Sequence, residues 1–213
     1  MILRKSDWSA LVEKGGANFL LDLSSLQEDL PSGVAEYISH GEHMGVNKSY
    51  KCRMRDPWYV VPHVRVCDGL LTYMSGKHAK LVANEARVVV PNTILTVCMS
   101  NKRGSLMKQA AFAWLTSLTR LSTEIEGHSM GGGMLKLEPG EAQNVRLALP
   151  RFTTKSIRAA IKQADSLVRT GDWEQATDLA DDIILRGHLN LTRAETNLLR
   201  KGAELLQLRR YRR

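Results

Sequence analysis

An α+β fold is predicted: a small, curved antiparallel sheet packed with helices, followed by a helical subdomain. Three observations carry it. Between Tyr50 and Met99, short apolar and β-branched runs alternate with Pro, Gly and Asn turn signals. From Ser105 to Glu126, and again from Ser156 to Arg210, apolar residues recur at helical spacing. A chain of 213 residues with 43% hydrophobic content has room for one large domain, or for a core domain with an appendage. The expected division is an α+β part over residues 1–150 and a helical tail over 151–213.

In chain order, Phe19–Leu23 (FLLDL) reads as a short buried strand, and from its closeness to Met1 the chain is expected to start inside a larger architecture, with a domain upstream. Leu30, Val34, Tyr37 and Ile38 then share one helical face, with Pro31 in the first turn and Gly41 or Gly45 as terminator. WYVV, LLTYM, KLVA, RVVV and TILTVCM are the candidate strands. Pro62 and Pro91 belong at edges or bends, since neither can donate to a ladder.

One helix is expected from Ser105 to about Glu126, with Trp114 in the core. Gly131–Gly133 is followed by MLKLEPG, which reads as a strand and not as a helix N-terminus. Close backbone packing or a hinge therefore fits those glycines better than a phosphate loop. Three helices follow, Ser156–Arg169, Trp173–Arg186 and Thr192–Arg210. The last opens on a Thr192-x-x-Glu195 capping box, with Leu198, Leu199, Leu205, Leu206 and Leu208 as its apolar side. The RRYRR end is either a phosphate-touching tail or a solubilising one.

Composition excludes several classes. No apolar run approaches the roughly 20 residues that span a bilayer, and the charged start is no secretory signal, so the chain is read as cytoplasmic, with no membrane partner. Cys52, Cys67 and Cys98 are widely spaced and odd in number, and are expected as reduced thiols. His40 and His43 lack further ligands nearby, so they are read as surface residues and no metal is expected. The net charge of +8 is uneven: residues 1–50 balance to −3, 51–110 to +7, 111–150 to −1 and 151–213 to +5. A phosphate-tracking surface would lie where that field is strongest.

At the start of that stretch lies YKCRMRDPWYVVP (Tyr50–Pro62), where the cations Lys51, Arg53 and Arg55, with Lys48 just before the block, run into Trp58 and Tyr59. Cations beside aromatics suit a polyanion that also offers bases; the alternative is a strand with core aromatics and solvated cations. Downstream come LLTYMSGKHAKLVAN, then VVVPNTILTV, then GGGMLKLEPGEAQNVRL. In that order the blocks, from about Leu30 to Pro150, resemble the target-recognition region of adenine-specific DNA methyltransferases of restriction–modification type.

The resemblance implies a duplex-DNA recognition module. Lys51, Arg53, Arg55, Lys77, Lys80, Lys102 and Arg103 would meet phosphates or base edges. Trp58 and Tyr59 would lie beside them, Asn92 would read adenine, and Thr93 would add one hydrogen bond. Structural alternatives stand beside these roles: Arg53 and Arg55 pairing with Asp56 or Glu85, and Asn92 as a turn residue. In such enzymes an Asn/Asp-Pro-Pro-Tyr/Phe motif holds the extruded adenine and a glycine loop holds S-adenosylmethionine. Here Asp56-Pro57 is followed by Trp58, and no strand–glycine loop–helix unit precedes it. Catalysis and the cofactor are therefore expected in a separate domain, in cis or in trans, and no cofactor in this chain. No hydrolytic constellation competes, and Asp181-Asp182 reads as a solvated face. Two other classes stay open, a docking module for a nucleic-acid enzyme complex and an RNA binder.

Overall fold

The computed structural model describes residues 1–16, 19–25, 30–100, 106–150 and 155–212. It divides into two compact units, one formed by Met1–Ala10 with Val66–Arg213, the other by Leu11–Arg65.

After α1 (Lys5–Glu13), the helix α2 (Ser32–His43) of the smaller unit begins at Pro31, whose fixed φ of −52° prepares the first turn. Ile38 is buried on this helix, and the chain leaves it through Gly45 at φ +72°, a left-handed value that suits glycine. Gly41 lies inside the helix and does not end it. The Trp58 ring covers that position so closely that an added Cβ would meet Cη2 at 2.9 Å. A 3-10 turn (Val46–Lys48) leads into the short helix α3 (Tyr50–Arg53).

Two expected strands are absent here. Phe19–Leu23 is irregular: Phe19 is 80% exposed, only Leu23 is buried, and the Asp22 carboxylate accepts from Ser24 N at 3.0 Å in a local turn. WYVV is bracketed by Pro57 and Pro62 and turns back through Val60 N to Pro57 O at 3.1 Å.

The larger unit holds two small sheets. β1 (Ile2–Leu3), β4 (Leu81–Asn84), β2 (Gly69–Thr72) and β5 (Ile94–Val97) form the first in the order β1-β4-β2-β5. β2 is antiparallel to both neighbours, but β1 runs parallel to β4, Ile2 opposite Ala83. The sheet is mixed and not purely antiparallel, because its edge comes from a two-residue segment too short to carry a periodic signal. The LLTYM run divides at Tyr73: β3 (Met74–Ser75) joins β7 (Leu135–Lys136) and β6 (His128–Ser129) in the second sheet. RVVV is irregular, with Arg87 at φ +56° and Val88 N donating to the Asn84 side chain at 3.1 Å.

α4 (Met107–Ala113) packs on β4 and on α7 (Lys155–Thr170), and small residues let it sit close: Ala111, Phe112 and Ala113 are fully buried. The single helix expected over 105–126 is broken after α4; Ser105 itself lies outside the described residues. Thr116 turns extended at φ −63°, ψ 150° and caps α5 (Ser117–Glu126). Asp181 is buried at this break, accepting from Ser117 N at 2.8 Å and Ser117 Oγ at 2.6 Å. An acid at a helix N-terminus is favourably placed, which corrects the solvated-face reading of this residue. Burial pushes the Asp181 carboxyl up from its usual range, against the pull of Ser117 and Arg200.

Pro139 does not lie in a strand. It opens α6 (Pro139–Asn144), where Glu138 and Glu141 form a capping box. Gly132 and Gly133 have φ of +69° and +73°, and a Cβ at Gly133 would overlap the Tyr211 ring, so close backbone packing is what Gly133 serves, whereas a Cβ at Gly132 would meet no described atom within 4 Å.

α7, α8 (Trp173–Ala180) with its π-helical continuation Asp181–Arg186, and α9 (Arg193–Tyr211) complete the unit. Thr192 and Glu195 form the expected box. The buried line of α9 is Thr196, Ala203 and Arg210, whereas Leu198, Leu205 and Leu208 face solvent. Arg209 to Tyr211 are thus helical and not a free tail. The Arg210 side chain is 2% exposed, pairs with Glu124 at 2.8 Å, and donates to the carbonyls of Gly76 and Gly133. Asp165 makes a second buried knot, accepting from Ile2 N at 2.9 Å, from Arg4 at 2.6 Å and from Arg169 at 3.0 Å. Cys67 and Cys98 form a disulfide, in place of the reduced thiols expected; Gly69 pairs with Val97, so the cysteines meet where β2 and β5 lead out of the sheet.

Candidate nucleic-acid interface

The residues singled out by the sequence fall in both units. In the smaller unit, the N-terminal Ser49 and the one-turn helix α3 project Lys51 and Arg53 into solvent, with Arg55 half-buried just beyond. Among the described residues these three cations have no carboxylate partner: Glu85 is engaged by Lys108, and Asp56 pairs with neither arginine. Trp58 is held in place, its Nε1 donating to Glu42 at 3.1 Å while its ring lies on Gly41. Tyr59 meets it edge-on, with centroids 5.9 Å apart and planes at 82°. The indole therefore braces α2, and only its remaining surface is open to a ligand. Tyr50, exposed on α3 beside the cations, is an aromatic that the sequence reading passed over although it stands in the same block.

In the larger unit, Lys77 and Lys80 lie on the connection from β3 to β4, and Asn92-Thr93 form the turn entering β5. Register brings the two segments to one end of the sheet: Thr72 pairs with Ile94 on one side and takes Lys80 on the other, through Thr72 N to Lys80 O at 3.1 Å and Lys80 N to Thr72 Oγ1 at 2.9 Å. Lys80 and Thr93 are thus two strands apart, roughly 10 Å at ordinary strand spacing. Asn92 follows Pro91 in a turn, Ile94 N donating to Pro91 O at 3.1 Å, and its amide side chain is exposed. Lys102 and Arg103 lie outside the described residues.

The same connection carries a residue the sequence did not single out. His78 stacks on Trp173 at 4.9 Å with planes 12° apart, and Lys80 Nζ lies 5.4 Å from the Trp173 ring. Burial first, then the fields of Arg120, Lys77 and Lys80, bring the His78 pKa down to about 4, so its ring is neutral at pH 7. Nothing local marks it, since Trp173 is 95 positions away and only the tertiary fold brings the rings together.

What this arrangement can do is hold anions and offer hydrogen bonds. Among the described residues no group of three or more His, Cys, Asp or Glu side chains is placed to hold a metal, and no helix is long and apolar enough to cross a membrane. Gly133 packs its backbone on Tyr211, and the triple glycine leads into β7 instead of a helix.

One family matches, over residues 1–185: the C-terminal domain of the type II methyltransferase M.Eco57I. Neither a curated protein nor a solved structure matches the chain. The chain belongs to this family of type II methyltransferase C-terminal domains.

Proposed function

From that membership we propose that the chain is the sequence-specific duplex-DNA recognition module of an adenine-specific DNA methyltransferase. It would place the target adenine before a catalytic domain that lies outside this sequence. Residues 1–150 are proposed as the recognition part and 151–213 as its helical support. The observation that carries the reading is the set of cations Lys51, Arg53 and Arg55, exposed or half-exposed and without acidic partners among the described residues, beside an indole already fixed by its own scaffold. Arginines in that state can fork onto guanine O6 and N7 in a major groove, and lysines can follow phosphates.

At the end of the first sheet, Lys77 and Lys80 would take phosphates while Asn92 reads an adenine edge and Thr93 adds a single bond. Lys102 and Arg103 are proposed for the same backbone. S-adenosylmethionine is assigned to the catalytic domain, since the triple glycine here leads into a strand and not into the helix N-terminus that a phosphate loop needs. Flipping the target base costs a few kcal/mol, which duplex contacts made by this module would help to offset.

The test is fluorescence anisotropy with a duplex, a matched single strand and a matched RNA at two salt concentrations. Duplex preference that falls steeply with salt is the expected result, because neutralised phosphates release counterions. Equal binding to all three would overturn sequence-specific duplex recognition. A second reading, a docking module, rests on Leu198 and Leu205, solvent-facing and two turns apart on α9. Tight, salt-insensitive binding to a protein and none to nucleic acid would favour it.

A further inference from the structure

An open-sided cleft lies in the larger unit, where the β3–β4 connection carrying Lys77 meets α5, α8 and α9. Its walls include Lys77, His78, Arg120, Trp173 and Gln207, and it measures about 450 Å³ counting its open mouth. The Arg120 side chain is only 14% exposed, and its Nη1 makes a long ion pair with Glu174 Oε2 at 3.5 Å. Its Nη1 is buried without a hydrogen-bond acceptor among the described residues. Buried guanidinium donors are ordinarily hydrogen-bonded, so an Nη1 that is ion-paired with Glu174 but makes no hydrogen bond keeps donor capacity for a ligand at the cleft. Glu124, the only acid among the described lining residues, is already held by Arg210 through both carboxylate oxygens.

The rest of the wall is built and not merely charged. Gln207 Nε2 donates to Lys77 O at 2.5 Å, fixing the backbone that carries the lysine and the histidine. Trp173 backs the imidazole, and Lys80 approaches the same indole. We infer that this cleft binds a phosphate group, with Arg120 and Lys77 supplying charged donors and the His78 ring N–H a neutral one. The phosphate belongs to a nucleic-acid backbone or to a free phosphate compound; the chemistry is shared, and this assignment deepens the phosphate role proposed for Lys77 while standing apart from the roles of Arg53 and Arg55.

The experiment follows the His78 ring resonances by NMR, assigned with His78→Asn, during titration with inorganic phosphate and separately with a duplex. Phosphate near the ring stabilises imidazolium, so the His78 midpoint should climb from about 4 by a unit or more. Lys77→Ala and Arg120→Gln should each weaken that response, on the order of ten-fold in phosphate concentration. Lys77 is exposed, so its variant decides the matter even where Arg120→Gln disturbs folding. In the duplex arm, Lys77→Ala should lower the salt slope by about 0.9 if the backbone is the source. A His78 response to inorganic phosphate alone keeps the cleft as a free-phosphate site. Indifference of His78 to both ligands, or an unchanged response in Lys77→Ala, overturns the inference. Arg53-dependent duplex binding with a silent His78 would do so while leaving the recognition reading intact.

Discussion

In the larger unit, Arg169, Arg200 and Arg210 each reach one or more carboxylates, Asp7 with Asp165, Asp178 with Asp181, and Glu124. In the smaller unit, Lys51, Arg53 and Arg55 reach none among the described residues. Counted along the sequence the two groups look alike, as the positive balances of residues 151–213 and 51–110. In space the first is internal mortar and the second is available charge. A basic segment is evidence for a polyanion partner only after the ion pairs inside the fold have been subtracted.

That contrast can be broken most forcefully at Arg210. Arg210→Ala leaves the nearly buried Glu124 carboxylate and two carbonyls unpaired, and should destabilise by about 3–5 kcal/mol in urea unfolding. A loss below about 1 kcal/mol would mean that the pair is not structural.

Asp165 comes next. Burial favours its neutral form, but hydrogen bonds from Arg169, the Met1 amino group and Arg4 win and set its pKa at about 2, below the usual 3.8. A depressed carboxylate contributes stability above its unfolded value and loses it as pH falls through the folded one. The chain should therefore lose about 2 kcal/mol between roughly pH 4 and pH 2. Asp165→Asn should flatten that part of the pH–stability curve; an unchanged curve would rule the carboxylate out as its source.

The opposite arm of the comparison is sharpened by Arg53→Ala and Arg55→Ala. Each should cost about 1–3 kcal/mol in duplex binding or relax site choice, with unfolding midpoints nearly unmoved. Stability loss with unchanged affinity in both would move these residues into the structural class. The smallest effect is expected at Leu205, 67% exposed on α9. Leu205→Lys should change stability by less than about 0.5 kcal/mol, as calorimetry would show.

How far the sequence went depends on what each residue's role draws on. The α+β class, the helix from Pro31, the Thr192 capping box and the core position of Trp114 follow from local patterns and are present. The break before α5 was half written, in the Thr116-Ser117 pair, but its partner Asp181 lies 64 positions from Ser117. The parallel edge β1 was invisible because two residues have no period. Leucines at helical spacing give α9 its expected apolar side, yet Leu198, Leu205 and Leu208 face solvent and the buried line is Thr196, Ala203 and Arg210, polar or small residues that ion pairing and close approach make internal. The disulfide depended on strand register, and the His78–Trp173 stack on the meeting of a loop with a distant helix.

The bond from Ile2 to Asp165 closes a loop of 163 positions. By polymer statistics that closure costs on the order of 4–5 kcal/mol of chain entropy before any contact repays it. Nuclei assembled from nearer partners, such as the β2–β4 hairpin and the α7–α8 pair, have far less to overcome. The Asp165 knot should therefore close after the rate-limiting step, with a φ-value near zero. Weakening it would hasten unfolding and leave the folding rate almost untouched, making this corner of the protein a latch on its lifetime instead of a seed for its formation.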